Sequence, residues 1–198
     1  MPYALLENVV FDTCYQCSPE LPAEPNSCVG EIFSESFDSK RSDIFTSLGR
    51  KAKFTDKAPA YEGEKFSIEI KDDNPRTSYA RTSNVLVSRF HNNVMISKYE
   101  NLELSFVYNS KRVRDGASFT VEYSVDDGSS WQEIQAFVKG DPEEDWTEDK
   151  RWYQASLVFS NPTLHIDAQD YVQLQFRSNL DKKSKVYIDH VVLYGLHY

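Results

Sequence analysis

Apolar residues recur at every second position along much of the chain, the period of a strand with one buried and one wet face. The pattern is clearest from Ala117 to Trp131, where Phe119, Val121, Tyr123 and Val125 alternate with Thr120, Glu122 and Ser124. Asp126-Asp127-Gly128-Ser129-Ser130 interrupts it with residues that tolerate positive φ or bond their own backbone. Trp131 and Ile134 then restart the apolar pattern, so the stretch predicts a hairpin with its tip in solvent. Trp131 directly follows the turn and is expected in the core.

The same alternation predicts further strands. Phe33, Glu35 and Phe37 share one face of a short strand that Asp38 closes, with Ile32, Ser34 and Ser36 on the other. Glu35 is thereby core-facing, where a bare carboxylate is costly, so it needs a partner: a cation, an arginine or a metal. Residues 38 to 63 read as a long irregular connection. Phe66, Ile68 and Ile70 form the next strand, stopped by the turn formers Asp72-Asp73-Asn74-Pro75, and shorter strands follow around 84–88 and 94–97. Leu102, Leu104, Phe106 and Tyr108 mark another, and Trp131 to Val138 the far side of the hairpin. Three more lie around Trp152 to Phe159, Val172 to Phe176 and Val186 to Leu193. No convincing helix and no internal repeat interrupts this series. About nine or ten strands at such spacing predict an all-β fold, a sandwich or barrel.

Composition supports that reading, with 12 Tyr, 12 Phe and 3 Trp among 198 residues. Residues 1–29 differ in character, as an extension carrying Pro2, Pro19, Pro22 and Pro25 and all three cysteines, so residues 30–198 are expected to form the one domain. Cys14, Cys17 and Cys28 suit one disulfide plus a free or intermolecular thiol; the alternative is three ligands of a zinc ion that recruits a fourth from elsewhere. A net charge of −9 repels phosphate backbones and anionic membrane surfaces, so nucleic acid is not an expected partner. No apolar run approaches the roughly 20 residues that span a bilayer. Met1 to Glu7 has neither the basic start nor the long apolar segment of a secretory leader, so the expectation is either an intracellular protein or a processed one whose leader has been removed.

Chemistry-bearing patterns are sparse. His91, His165, His190 and His197 stand in no metal-binding or nucleophile-elbow motif, so no catalytic role is expected. Trp146, Trp152 and Tyr153, beside an acidic loop holding Asp141, Glu143, Glu144 and Asp145, are the candidate ligand surface. Aromatic faces stack on the apolar faces of sugar rings, and carboxylates accept bonds from hydroxyls. One or more of these tryptophans is also expected to pack in the core.

Val121 to Trp131, followed by Leu174-Gln175-Phe176-Arg177 and by Val186-Tyr187-Ile188-Asp189-His190-Val191, resembles the MAM-like and adhesin-like jelly-roll modules of secreted, multidomain proteins. Phe33-Ser34-Glu35-Ser36-Phe37-Asp38 is similar to their first core strand, and Ser78-Tyr79-Ala80-Arg81 to their edge segment. The resemblance implies a jelly-roll β-sandwich over about residues 31–195, acting outside the cell in carbohydrate binding, adhesion or protein association, its leader already removed. It further implies a structural calcium, with Glu35, Asp38 and Asp189 as ligands and Asp72 or Asp73 as additions, since calcium takes six to eight oxygens in flexible geometry. The chain departs from the family in having Ser178 where a cysteine is common, and a basic stretch before its last strand. The expected function is therefore a non-catalytic module recognising a glycan or an extracellular protein; the alternative is a structural subunit of a larger assembly.

Overall fold

A computed structural model of the chain describes residues 29–37, 39–57, 61, 66–71, 78–82, 85–86, 99–142, 146–162, 171–181 and 183–196. These contain twelve strands: β1 (Val29–Glu35), β2 (Ser47–Leu48), β3 (Ala52–Thr55), β4 (Ser67–Lys71), β5 (Tyr79–Arg81), β6 (Val85–Leu86), β7 (Asn101–Lys111), β8 (Ser118–Ser124), β9 (Gln132–Val138), β10 (Trp152–Ser160), β11 (Tyr171–Asn179) and β12 (Lys185–Leu196). One sheet runs β10-β7-β12-β4-β3 with β1 also on β12; the other runs β2-β5-β11-β8-β9 with β6 also on β11. All pairings are antiparallel, and the expected jelly-roll sandwich is what the chain forms.

The alternating residues explain the layers, because each sheet has one apolar face and must cover it. Leu102, Leu104, Phe106 and Tyr108 of β7 meet Phe119 and Val121 of β8 and Val172, Leu174 and Phe176 of β11 in a single core. Aromatic rings carry much of the contact between sheets. Phe106 meets Phe176 edge-on at 5.0 Å between centroids and Phe137 edge-on at 5.7 Å.

Residues 38–63 are less irregular than their sequence suggests, since β2 and β3 both lie there. Strands of two and four residues are too short to display a period, and it is pairing to β5 and β4 that makes them strands. In β1 a bulge between Glu31 and Phe33 breaks the alternation, so Ile32 and Phe33 are both buried. The glycines of the registered pair Gly30 and Gly195 leave room for the Tyr99 ring, since a Cβ on either would stand within 2.2 Å of it. 

A polar cluster ties the acidic loop to the β7–β8 connection. The Asp149 carboxylate accepts hydrogen bonds from Ser110 Oγ (2.8 Å) and from the backbone N–H groups of Arg112 and Val113. Lys139 Nζ donates to the same carboxylate at 2.8 Å and to the Val113 carbonyl at 2.8 Å. Trp146 Nε1 donates to Ser110 Oγ at 3.0 Å, so the loop's tryptophan is anchored by the same cluster.

Candidate functional site

Cross-strand partners in a sheet point to the same side. Following the register across the second sheet therefore identifies its outward face. Ser47 pairs with Arg81, Arg81 with Gln175, Gln175 with Glu122, and Glu122 with Glu133. The side chains of Arg81, Gln175, Glu122 and Glu133 form a polar row across β5, β11, β8 and β9, opposite the face that supplies Val121 and Phe176 to the core. A second row places Tyr79, Arg177, Thr120 and Ala136 beside it.

The rows are joined by hydrogen bonds. Arg81 Nε donates to Gln175 Oε1, and Gln175 Nε2 donates in turn to Glu122 Oε2. Arg177 closes on the same carboxylate, with Nε 3.0 Å from Oε2 and Nη2 bonded to Oε1. Glu122 is only 5% exposed, and Arg177 neutralises it. The bond from the Arg177 guanidinium to Glu122 outweighs its partial desolvation and holds its pKa above the ordinary arginine value.

Trp131 lies on this outer face, a correction to its expected place in the core. The Arg81 guanidinium carbon is 4.0 Å from the Tyr79 ring centre and 4.8 Å from that of Trp131. Two features put the indole there. A bulge between Val121 and Glu122 on one side and Gln135 and Glu133 on the other leaves Ile134 unmatched, which reverses the facing of every residue before it in β9. The hairpin tip then presses close: Trp131 Nε1 donates to the Gly128 carbonyl at 3.1 Å. Asp127 (φ 58°) and Gly128 (φ +78°) are both left-handed, and a Cβ on Gly128 would come within 3.0 Å of Gln173 and 3.4 Å of Trp131. Asp126 braces the turn by accepting from Ser130 Oγ (2.6 Å), Ser130 N–H (2.8 Å) and Ser124 Oγ (2.7 Å). Those bonds, the Ser130 hydroxyl foremost, hold its pKa down at about 2.

No protein-family model matches the chain, and no curated protein matches it. Solved structures do. The N-terminal CBM22-1–CBM22-2 tandem domain of Xyn10C from Paenibacillus barcinonensis is 15% identical with a TM-score of 0.55, covering 88% of this chain and 47% of its own length. The CBM22-1–GH10 modules of the Clostridium thermocellum xylanase Xyn10B, solved with xylohexaose, are 11% identical with a TM-score of 0.51, covering 83% of this chain and 28% of their own. The fold is that of carbohydrate-binding modules. The chain spans about half of the first of these structures and less of the second. The jelly-roll part of the sequence resemblance is met; these structures do not bear on its narrower MAM-like part.

The ligand residues proposed from sequence separate in the fold. Trp146 is fully buried among Tyr108 and Phe119, so it offers no face to a ligand. Tyr153 points inward from β10, and Trp152, one residue earlier, lies on the opposite face of the strand against Tyr61. Both nevertheless border a groove of about 570 Å³ between the free edges of the sandwich, which Gln135, Phe137, Arg151 and Leu157 also line. Asp145 lies outside the described residues, as do Cys14, Cys17 and Cys28.

Of the five acids implied for calcium, Glu35 and Asp189 are described; Asp38, Asp72 and Asp73 are not. Glu35 accepts from Phe37 N–H at 2.9 Å and from Ser42 Oγ. Asp189, 2% exposed, accepts from His190 N–H at 2.8 Å where β12 bulges. Two carboxylates fall short of six to eight oxygens, and among the described residues no three His, Cys, Asp or Glu side chains gather. By themselves the described residues do not fit a calcium ion.

Proposed function

We propose that this chain is a non-catalytic module that binds a glycan chain along the outer face of the β2-β5-β11-β8-β9 sheet. The carrying observation is the polar row Arg81, Gln175, Glu122 and Glu133 with the aromatic rings of Tyr79 and Trp131 beside it. Sugars offer the matching chemistry, with hydroxyls that donate and accept along their edges and C–H faces that pack on aromatic rings. A sheet supplies such groups at fixed spacing, so ordering costs little on binding. The fold shared with carbohydrate-binding modules supports the reading.

Isothermal titration against a panel of soluble polysaccharides tests it. Trp131→Ala is expected to weaken binding at least roughly tenfold, or about 1.4 kcal/mol, with unchanged circular dichroism. If Trp152→Ala abolishes binding and Trp131→Ala does not, the glycan lies in the groove beside β10 and the sheet-face reading fails.

Calcium ligation by Asp38, Asp72 and Asp73 with Glu35 and Asp189 stays a separate proposal. A ligand that binds only the folded state raises the melting temperature. Calcium is thus expected to raise it and a chelator to reverse the rise; a melt indifferent to both retires the idea.

A further inference from the structure

We infer that the ligand of this face is an anionic glycan whose carboxylate or sulfate group docks on Arg81; this rests on the sheet-face reading above. Two arginines stand on the face, and they differ in what they have left to give. Arg177 spends its guanidinium edge on Glu122, to which both Nε and Nη2 are bonded. Arg81 has no carboxylate partner among the described residues, and its one hydrogen bond there runs from Nε to the neutral Gln175. A guanidinium carries five N–H donors, so the terminal nitrogens of Arg81 remain available to a ligand.

The surroundings prepare those donors for an oxyanion. Gln175 fixes one edge of the guanidinium and the Tyr79 and Trp131 rings lie against it, so the free edge is held in place. That geometry matches the bidentate way in which guanidinium meets a carboxylate or a sulfate. Charge on the face points the same way. Glu122 and Arg177 cancel, which leaves Arg81, among the described residues, as the cation beside the rings with no carboxylate bonded to it. Glu133, at the far end of the row, is three strand spacings from Arg81, about 14 Å. That exceeds the roughly 8 Å screening length at physiological salt, so Glu133 is largely screened from Arg81. The nearby Asp126 is committed to its bonds with Ser124 and Ser130.

Titration of the wild-type chain with three oligosaccharides of matched length decides the matter: a neutral one, an oligouronate and a sulfated one. The expected result is at least tenfold tighter binding of an acidic oligosaccharide than of the neutral one, with the preference fading as salt rises. Which acidic oligosaccharide is preferred tells a carboxylate from a sulfate as the docking group. Arg81→Gln is expected to erase the preference, so that acidic and neutral chains bind alike, with an unchanged circular dichroism spectrum and melting temperature reporting that the variant is folded. Arg81→Lys, with charge but no fork, should restore only part of it. Equal affinity for neutral and acidic chains, untouched by Arg81→Gln, overturns this inference and leaves the glycan reading standing. Absence of binding to all three overturns both.

Discussion

Trp146→Ala is expected to destabilise the protein by about 3–5 kcal/mol, the range for deleting a large buried aromatic side chain. The indole is fully buried and meets the rings of Tyr108 at 5.7 Å and Phe119 at 5.5 Å, so both sheets lose a contact together. Its Nε1–H also satisfies Ser110 Oγ, which holds Asp149. The melting temperature should fall by about 10 °C for a domain of this size. Trp146→Phe keeps most of the packing and should recover more than half of the loss. Glycan affinity measured well below the melt should be unchanged, which separates this tryptophan from Trp131. A melting temperature unaffected by Trp146→Ala would return the residue to the surface and to the list of ligand contacts.

Asp149→Ala is the second large effect, at about 3 kcal/mol, the low end of the range for stripping the partner from a buried charge. Lys139 keeps only 7% side-chain exposure, so its ammonium would be left with the Val113 carbonyl alone, while Asp149 at 29% admits some water in compensation. The double variant with Lys139→Met should be more stable than Asp149→Ala, because the orphaned charge is gone; the reverse order would show that the pair is not the source of the loss. Burial by itself would raise the Asp149 pKa, but the bonds from Lys139, Ser110 and the Val113 N–H outweigh it and hold the carboxyl below its ordinary value. A depressed folded pKa adds stability that is complete above the unfolded value, near 4, and is lost as pH falls through the folded one. The stability gap between wild type and Asp149→Ala should therefore be constant from neutral pH down to about 5 and close below 4.

Much of the architecture was legible in the residues. Alternation from Leu102 to Tyr108, Phe119 to Tyr123 and Val172 to Phe176 marks strands with one apolar face, and such faces are covered only by another sheet. The hairpin tip was legible for the same kind of local reason, since Asp127 and Gly128 take the left-handed conformations that such residues tolerate. Glu35 was expected to need a partner, and among the described residues Ser42 Oγ and the Phe37 N–H donate to it.

The site was not legible, because its members are neighbours only across strands. Arg81 and Gln175 are 94 positions apart, and no local pattern announces that their side chains share a face. The three tryptophans show the limit best. Local sequence assigned Trp131 to the core and offered Trp146 and Trp152 as ligand contacts of which at least one packs in the core; the fold puts Trp131 outside and buries Trp146. A strand's facing is a matter of parity, so the single bulged residue Ile134 turns Trp131 outward. Trp146 is drawn inward because its indole packs edge-on against the touching rings of Tyr108 and Phe119 and Ser110 accepts its N–H. The sequence by itself determined the strands, their turns and the need for two layers, because those follow from interactions within a few residues. Which aromatic rings meet solvent, and which charges stand unpaired beside them, was decided only by register and bulges in the assembled sheets.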